Sequence, residues 1–245
     1  MSQLLIANWK ANKNAATTKN WFEAFKAELE RLLAGQKLRQ QIVIAPSFPL
    51  LALVRLEIDQ LQAVWQNRCE AGAGFELGIQ DISQYGAGSY TGAVAGQNLA
   101  WLKPSTVILG HSERRRYFQE TDQSVAAKID QVLDLPARPI ICVDQAQIKS
   151  QAQSLGSLAN QPLTVAYEPT EAIGTGKHPG VAQVTEMFQK IRSAFGSSTK
   201  CLYGGSVDEL TILEYLLVSE GAIIGTAALD GTQFARVVAA SQAHP

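Results

Sequence analysis

The sequence has 245 residues, 46% of them hydrophobic and 18% charged, with a formal net charge of −1. That much apolar material builds a large core and excludes disorder, and the near-neutral charge excludes bulk attraction to nucleic acid or to an anionic membrane. Three cysteines with no CxxC pair, and three histidines with no His/Cys cluster, exclude a disulfide framework or zinc site and fit a reducing cytosol.

The N-terminus, MSQLLIANWK, has four apolar residues in a row and no basic lead, so no signal peptide is expected. No apolar run reaches the length needed to span a bilayer. Residues 4–7 (LLIA) predict a first buried strand. Residues 18–34 carry Trp21, Phe22, Phe25, Leu29, Leu32 and Leu33 at helical spacing, with Thr17 or Thr18 as the expected cap and Gly35 beyond the end. A second strand at 42–45 (IVIA) is stopped by Pro46 and Pro49. A helical stretch with Leu50, Leu51, Val54 and Leu61 follows, then a loop at 71–75 and a third strand at 77–80 (LGIQ).

Residues 85–92 (YGAGSYTG) form a glycine-rich loop before a helix with Leu99 and Leu102. The fourth strand is 106–109 (TVIL), followed by a helix with Val125, Ile129, Val132 and Leu133. The fifth is 139–143 (PIICV), and a short segment, 144–161, leads to the sixth, 164–167 (TVAY). A helix with Val184, Phe188, Ile191 and Phe195 comes next, then strand seven at 201–203 (CLY). Leu210, Leu213, Leu216 and Leu217 predict a helix, 222–224 (AII) the eighth strand, and Phe234, Val237 and Val238 a last helix.

Near-continuous apolar strands alternating with helices mean a parallel sheet covered on its outer face. Eight such units in this length, without linker or composition break, predict a (β/α)8 barrel, one domain over residues 1–245. An open doubly wound sheet is the alternative, weakened because no GxGxxG follows the first strand.

In such barrels the chemistry sits at the C-terminal strand ends. The first ends in Asn8-Trp9-Lys10, and period-two alternation lets Asn8 and Lys10 point the same way. The fourth ends in Gly110-His111-Ser112, where a helix start would keep the imidazole neutral and donating. The sixth ends in Glu168, held stiffly by Pro169, ahead of a loop with two glycines at 172–177. Glycine-rich turns after strands seven (Gly204-Gly205-Ser206) and eight (Gly225-Thr226) fit a phosphate site made of backbone N–H groups. Taken one at a time, each has a plain alternative: a surface lysine, a structural histidine, a solvated glutamate, a tight turn.

Together, ANWK (7–10), GHSERRRYFQETD (110–122), AYEP (166–169), AIGTGK (172–177) and YGGSV (203–207) resemble the triosephosphate isomerase family, in its order and across nearly the whole chain. The resemblance implies interconversion of the triose phosphates dihydroxyacetone phosphate and glyceraldehyde 3-phosphate. It implies Glu168 as base, His111 as neutral electrophile, Lys10 stabilising the enediolate and phosphate, and Asn8 orienting the substrate. The phosphate would rest on backbone N–H groups of Gly174, Ser206, Gly225 and Thr226, with residues 170–177 closing over it. No metal or organic cofactor is implied. The family also implies a homodimer, with Thr91 of the 85–92 loop near the partner's Asn8, Lys10 and Glu113, and the sparse cysteines predict a cytoplasmic location.

Three departures stand out. Thr170-Glu171 replace the usual Val-Trp of the loop hinge, in the manner of the archaeal branch. Thr226 replaces a common glycine, so that turn should run at negative φ. The segment between strands five and six is short, as in archaeal enzymes that assemble as tetramers, so a tetramer stays open beside the dimer. Cys142 is read as packing, since nothing supplies it a base. Two competing readings remain: a barrel acting on a larger sugar phosphate, and a phosphate-binding barrel without catalysis.

Overall fold

The computed structural model describes residues 2–160, 162–170 and 178–243. Its strands are β1 (Leu4–Asn8), β2 (Gln41–Ala45), β3 (Gly74–Ile79), β4 (Thr106–Leu109), β5 (Arg138–Val143), β6 (Thr164–Tyr167), β7 (Lys200–Tyr203) and β8 (Gly221–Ile224). They form a closed parallel barrel in chain order, with β8 paired to β1. The helices between and after them are α1 (Ala15–Leu32), α2 (Leu51–Trp65), α3 (Ser112–Phe118), α4 (Asp122–Leu133), α5 (Gln147–Ser154), α6 (Val181–Phe195), α7 (Ile212–Leu216) and α8 (Gly231–Ser241). This is the (β/α)8 barrel that the apolar runs predict. No helix of the described residues is long and apolar enough to cross a membrane.

The chain divides into two compact units, Met1–Gly78 with Ser206–Pro245, and Ile79–Gly205. In the first, β1 runs in register with β2, Leu4 opposite Gln41 and Asn8 opposite Ala45, and with β8, Ala7 opposite Ile224. Helices α1 and α8 bury an aromatic cluster: Trp21 stacks on Phe25 at 5.0 Å and Phe25 on Phe234 at 5.6 Å. Each such pair contributes about 0.5–1.5 kcal/mol beyond its area burial. A Cβ on Gly231 would lie 2.3 Å from the Trp21 carbonyl oxygen, so only glycine lets α8 begin this close to α1.

Helix α1 starts earlier than its apolar spacing suggests, and its cap is Asn14 rather than Thr17 or Thr18. The Asn14 side chain accepts from Thr17 N–H at 3.0 Å, and the Thr17 hydroxyl accepts from Asn14 N–H at 2.9 Å. The first turn, Ala15-Ala16-Thr17, is small and solvent-exposed and leaves no trace in the spacing of large apolar residues. Strand β3 begins at Gly74, not Leu77. Residues 68–70 run beside Leu38, with Leu38 N–H donating to Arg68 O at 2.7 Å and Glu70 N–H to Leu38 O at 2.8 Å, and so extend the pairing.

In the second unit, β4 to β7 pair in register, from Thr106 opposite Arg138 to Tyr167 opposite Tyr203. Helix α5 lies in the short segment, 144–161, for which the apolar spacing names no element. Its inward face includes Gln151, fully buried because its amide is engaged: it donates to Asp122 O at 3.1 Å and accepts from Arg115 at 2.7 Å. A buried glutamine reads as polar surface in a hydrophobicity pattern.

Candidate active site

Strand β6 ends at Tyr167, and Glu168 is the next residue, its backbone N–H still bonded to Val143 O at 2.8 Å. Pro169 follows and stiffens it. The Glu168 side chain is 2% exposed. Its Oε2 accepts from the Ser112 backbone N–H at 2.8 Å, at the first turn of α3. Its Oε1 has no hydrogen-bond partner among the described residues, and lies 3.2 Å from His111 Nε2. A buried carboxylate oxygen in that state is costly to hold.

His111 is the N-cap of α3. Its Nδ1 accepts the Glu113 backbone N–H at 3.3 Å, and so carries a lone pair. The ring proton of a neutral imidazole then sits on Nε2, the nitrogen beside Glu168. The Gly110 peptide that carries the ring is held at both ends. Glu120 accepts its N–H at 3.2 Å, and Arg115 Nε donates to its oxygen at 2.7 Å. Arg115 also donates to Asp122 at 2.7 Å and to Cys142 O at 3.3 Å. Glu120 is paired with the buried Lys128, which bonds Asp81 at 2.6 Å, and Arg114 bonds Asp81 at 2.8 Å. Burial pushes the Asp81 carboxyl up, and Lys128 offsets that. The charged tail of GHSERR therefore props up the histidine, a role with no signal in the motif itself.

Two glycines leave room around Glu168 and the Pro169 that follows it. A Cβ on Gly204 would lie 3.0 Å from Glu168 Cγ, and one on Gly205 would lie 2.2 Å from Tyr203 Oη and 3.0 Å from Pro169 Cγ. Cys142 is fully buried, and its thiol is pushed well up, by burial first and then by the negative charge of Glu168. It is a protonated packing group. Thr170 Oγ1 stands 3.5 Å from Asp144 Oδ2, and Asp144 Oδ1 accepts from Gln147 N–H at 3.0 Å. Glu113 is half-buried and Thr91 exposed. The Ser112 N–H that anchors the carboxylate is a backbone group, and sequence reasoning has no means to single it out.

In the first unit, Asn8 ends β1 and is buried, and its Oδ1 accepts from Lys10 N–H at 3.1 Å. The strand stops there, so the period-two argument does not reach Lys10. Instead Lys10 turns through a left-handed φ of 52°. The direction it takes brings Lys10 Cε to 3.4 Å and Nζ to 3.7 Å from where a Gly225 Cβ would stand. Thr226 is absent from the positive-φ residues and opens a 3-10 helix, Thr226–Leu229, as its β-branching requires. Ser206 is exposed after β7. Gly174 and the hinge residue Glu171 lie outside the described residues. Among the described residues, no group of three or more His, Cys, Asp or Glu side chains could hold a metal ion.

A family model described as Triosephosphate isomerase matches residues 3–241. A triosephosphate isomerase from Mesomycoplasma hyopneumoniae (strain 232) is 32% identical over 97% of this chain and 99% of its own length. The one from Thermus thermophilus is 33% identical over 96% and 97%. That from Synechococcus sp. (strain JA-3-3Ab) is 34% identical over 97% and 95%.

Proposed function

The chain belongs to the triosephosphate isomerase family, and on that premise we propose that it interconverts dihydroxyacetone phosphate and D-glyceraldehyde 3-phosphate through an enediolate. Glu168 takes the proton from one carbon and returns it to its neighbour. His111, donating through Nε2, polarises the carbonyl and passes protons between the two oxygens. A glutamate base with a neutral histidine is the known chemistry of this family. Lys10 and Asn8 stabilise and orient the enediolate, and backbone N–H groups of Gly174, Ser206, Gly225 and Thr226 hold the phosphate. Closure of residues 170–177 excludes water.

The observation that carries this reading is the buried pair itself: Glu168 Oε1 without a hydrogen bond, 3.2 Å from the Nε2 of an imidazole whose other nitrogen is already engaged. For catalysis the carboxylate must leave the Ser112 N–H and turn its oxygens to the substrate. The half-buried, left-handed Lys10 turn at Gly225 supports the phosphate assignment. We read both units as one (β/α)8 domain, forming a homodimer through the 85–92 loop with Thr91 and Glu113 at the contact. Three free cysteines are in keeping with a cytoplasmic location.

A coupled assay with glyceraldehyde 3-phosphate tests the reading. Turnover is expected, and Glu168→Ala should lower kcat by roughly 10² to 10⁴ or more, the share typical of general-base catalysis. Full activity in that variant removes Glu168 from the role of base. Phosphate binding with no turnover by the unmodified chain favours a barrel that has lost catalysis.

A further inference from the structure

The phosphate turn after β8 is a very short helix, Thr226–Leu229, with Ala228 N–H bonded back to Gly225 O at 3.0 Å. One turn of 3-10 helix does little to fix its own direction. Its direction is set at the far end. Trp21 Nε1 donates to Ala228 O at 3.0 Å, and Lys13 Nζ donates to Leu229 O at 2.6 Å. Both carbonyls at the C-terminal end of the turn are thus taken by donors from the β1–α1 region.

Lys13 is held in an unfavourable state to do this. Its φ is 74°, in the left-handed region that lysine avoids, and Lys10 three residues earlier has φ 52°. Its ammonium lies over the Trp9 ring at 5.0 Å, a fully buried indole. Burial pushes the Lys13 ammonium down, and Asp230 pulls it back up. A strained, partly desolvated lysine is expected where the contact it makes has a use. The same short loop therefore sets two lysines against the two ends of one helix: Lys10 at Gly225 and Lys13 at Leu229.

We infer that Lys13 is a positioning residue for the substrate's phosphate, pinning the C-terminal end of the Thr226–Leu229 turn so that the Gly225 and Thr226 N–H groups keep their pose beside Lys10. This deepens the proposed function and rests on it. Lys13 itself touches no reacting atom. It acts through the turn, and its effect must be specific to substrates that carry a phosphate.

The test uses the full chain with Lys13→Met, Lys13→Arg and Lys13→Gly. Three readouts are compared: the Ki of inorganic phosphate, KM and kcat for glyceraldehyde 3-phosphate, and kcat/KM for D-glyceraldehyde, which has no phosphate. Lys13→Met should raise the phosphate Ki and the KM about tenfold, the scale of one lost charge-assisted hydrogen bond. Turnover of D-glyceraldehyde should stay unchanged. Lys13→Arg, which keeps a charged donor, should restore most of the affinity. Lys13→Gly relieves the left-handed strain, so it should keep the melting temperature while losing phosphate affinity as Lys13→Met does. A role confined to stability would move melting temperature and affinity together. An unchanged phosphate Ki in Lys13→Met, or parallel loss of D-glyceraldehyde turnover, overturns the inference. An unmodified chain that neither binds phosphate nor turns over glyceraldehyde 3-phosphate overturns the functional reading, and this inference with it.

Discussion

Glycine at position 205 is a matter of space. Its missing Cβ is what lets Tyr203 Oη and the Pro169 ring both approach its backbone, and Pro169 is the residue that stiffens Glu168. An added methyl would stand 2.2 Å from Tyr203 Oη, and Tyr203 is fully buried and has little room to retreat. Gly205→Ala is therefore expected to displace Pro169 and the carboxylate behind it, and to lower kcat/KM on the order of 10²-fold, as sub-ångström to 1 Å errors in alignment do. Steady-state kinetics on the variant check this, and wild-type kcat/KM would mean the strand end absorbs the clash elsewhere. The same scale shows why residue type was readable and residue state was not. Glu168 and His111 stand out in sequence by their place at strand ends. That one carboxylate oxygen is engaged by a backbone N–H and the other is bare depends on neighbours 56 residues away.

Helices α1 and α8 are joined outside their aromatic seam by a three-residue clasp. Glu28 accepts from Arg31 at 2.7 and 2.9 Å within α1, and from Arg236 of α8 at 3.1 Å. Arg31 first, then Arg236, holds the Glu28 carboxyl at about 2, below its ordinary 4.5. The folded chain thus releases this proton more readily than the unfolded chain. The stabilisation is complete above 4.5 and is lost as pH falls from there toward 2. Glu28→Gln should be less stable than the parent at neutral pH, with the gap closing across that acid window. Urea unfolding at a series of pH values reads the gap directly, and a gap that persists below the window would exclude the clasp as its source. Periodicity placed both helices, because Trp21, Phe22, Phe25 and Phe234 recur on inward faces. It missed the Asn14 cap and the whole of α5, because caps and buried glutamines are polar.

For the whole molecule, the 85–92 loop carries the assembly proposal. Tyr85 and Tyr90 stack at 4.5 Å yet are each 47% exposed, and Tyr117 and Phe118 of α3 are 65% and 67% exposed in the same unit. Exposed aromatic side chains of this number are typical of surfaces that another chain covers. The chain is expected to sediment at twice its own mass and to unfold in one transition that moves to higher temperature with concentration. A monomer at micromolar concentration would refute the dimer, and a mass four times that of the chain would point to the tetramer.

By itself the sequence determined the barrel, because strands buried on both faces need apolar side chains at nearly every position, and that demand is visible in one dimension. It also determined which residue types stand at the strand ends. Only the tertiary structure decided how they are held: Ser112 N–H on Glu168, Glu113 N–H on His111, and the Arg115 and Glu120 braces on Gly110. It also decided the left-handed turns that aim Lys10 and Lys13 at the two ends of one helix. The reason is physical. Hydrophobic burial is a property of each residue's own side chain, whereas a hydrogen bond or a close approach belongs to a pair, and the second member of the pair is known only once the chain has folded.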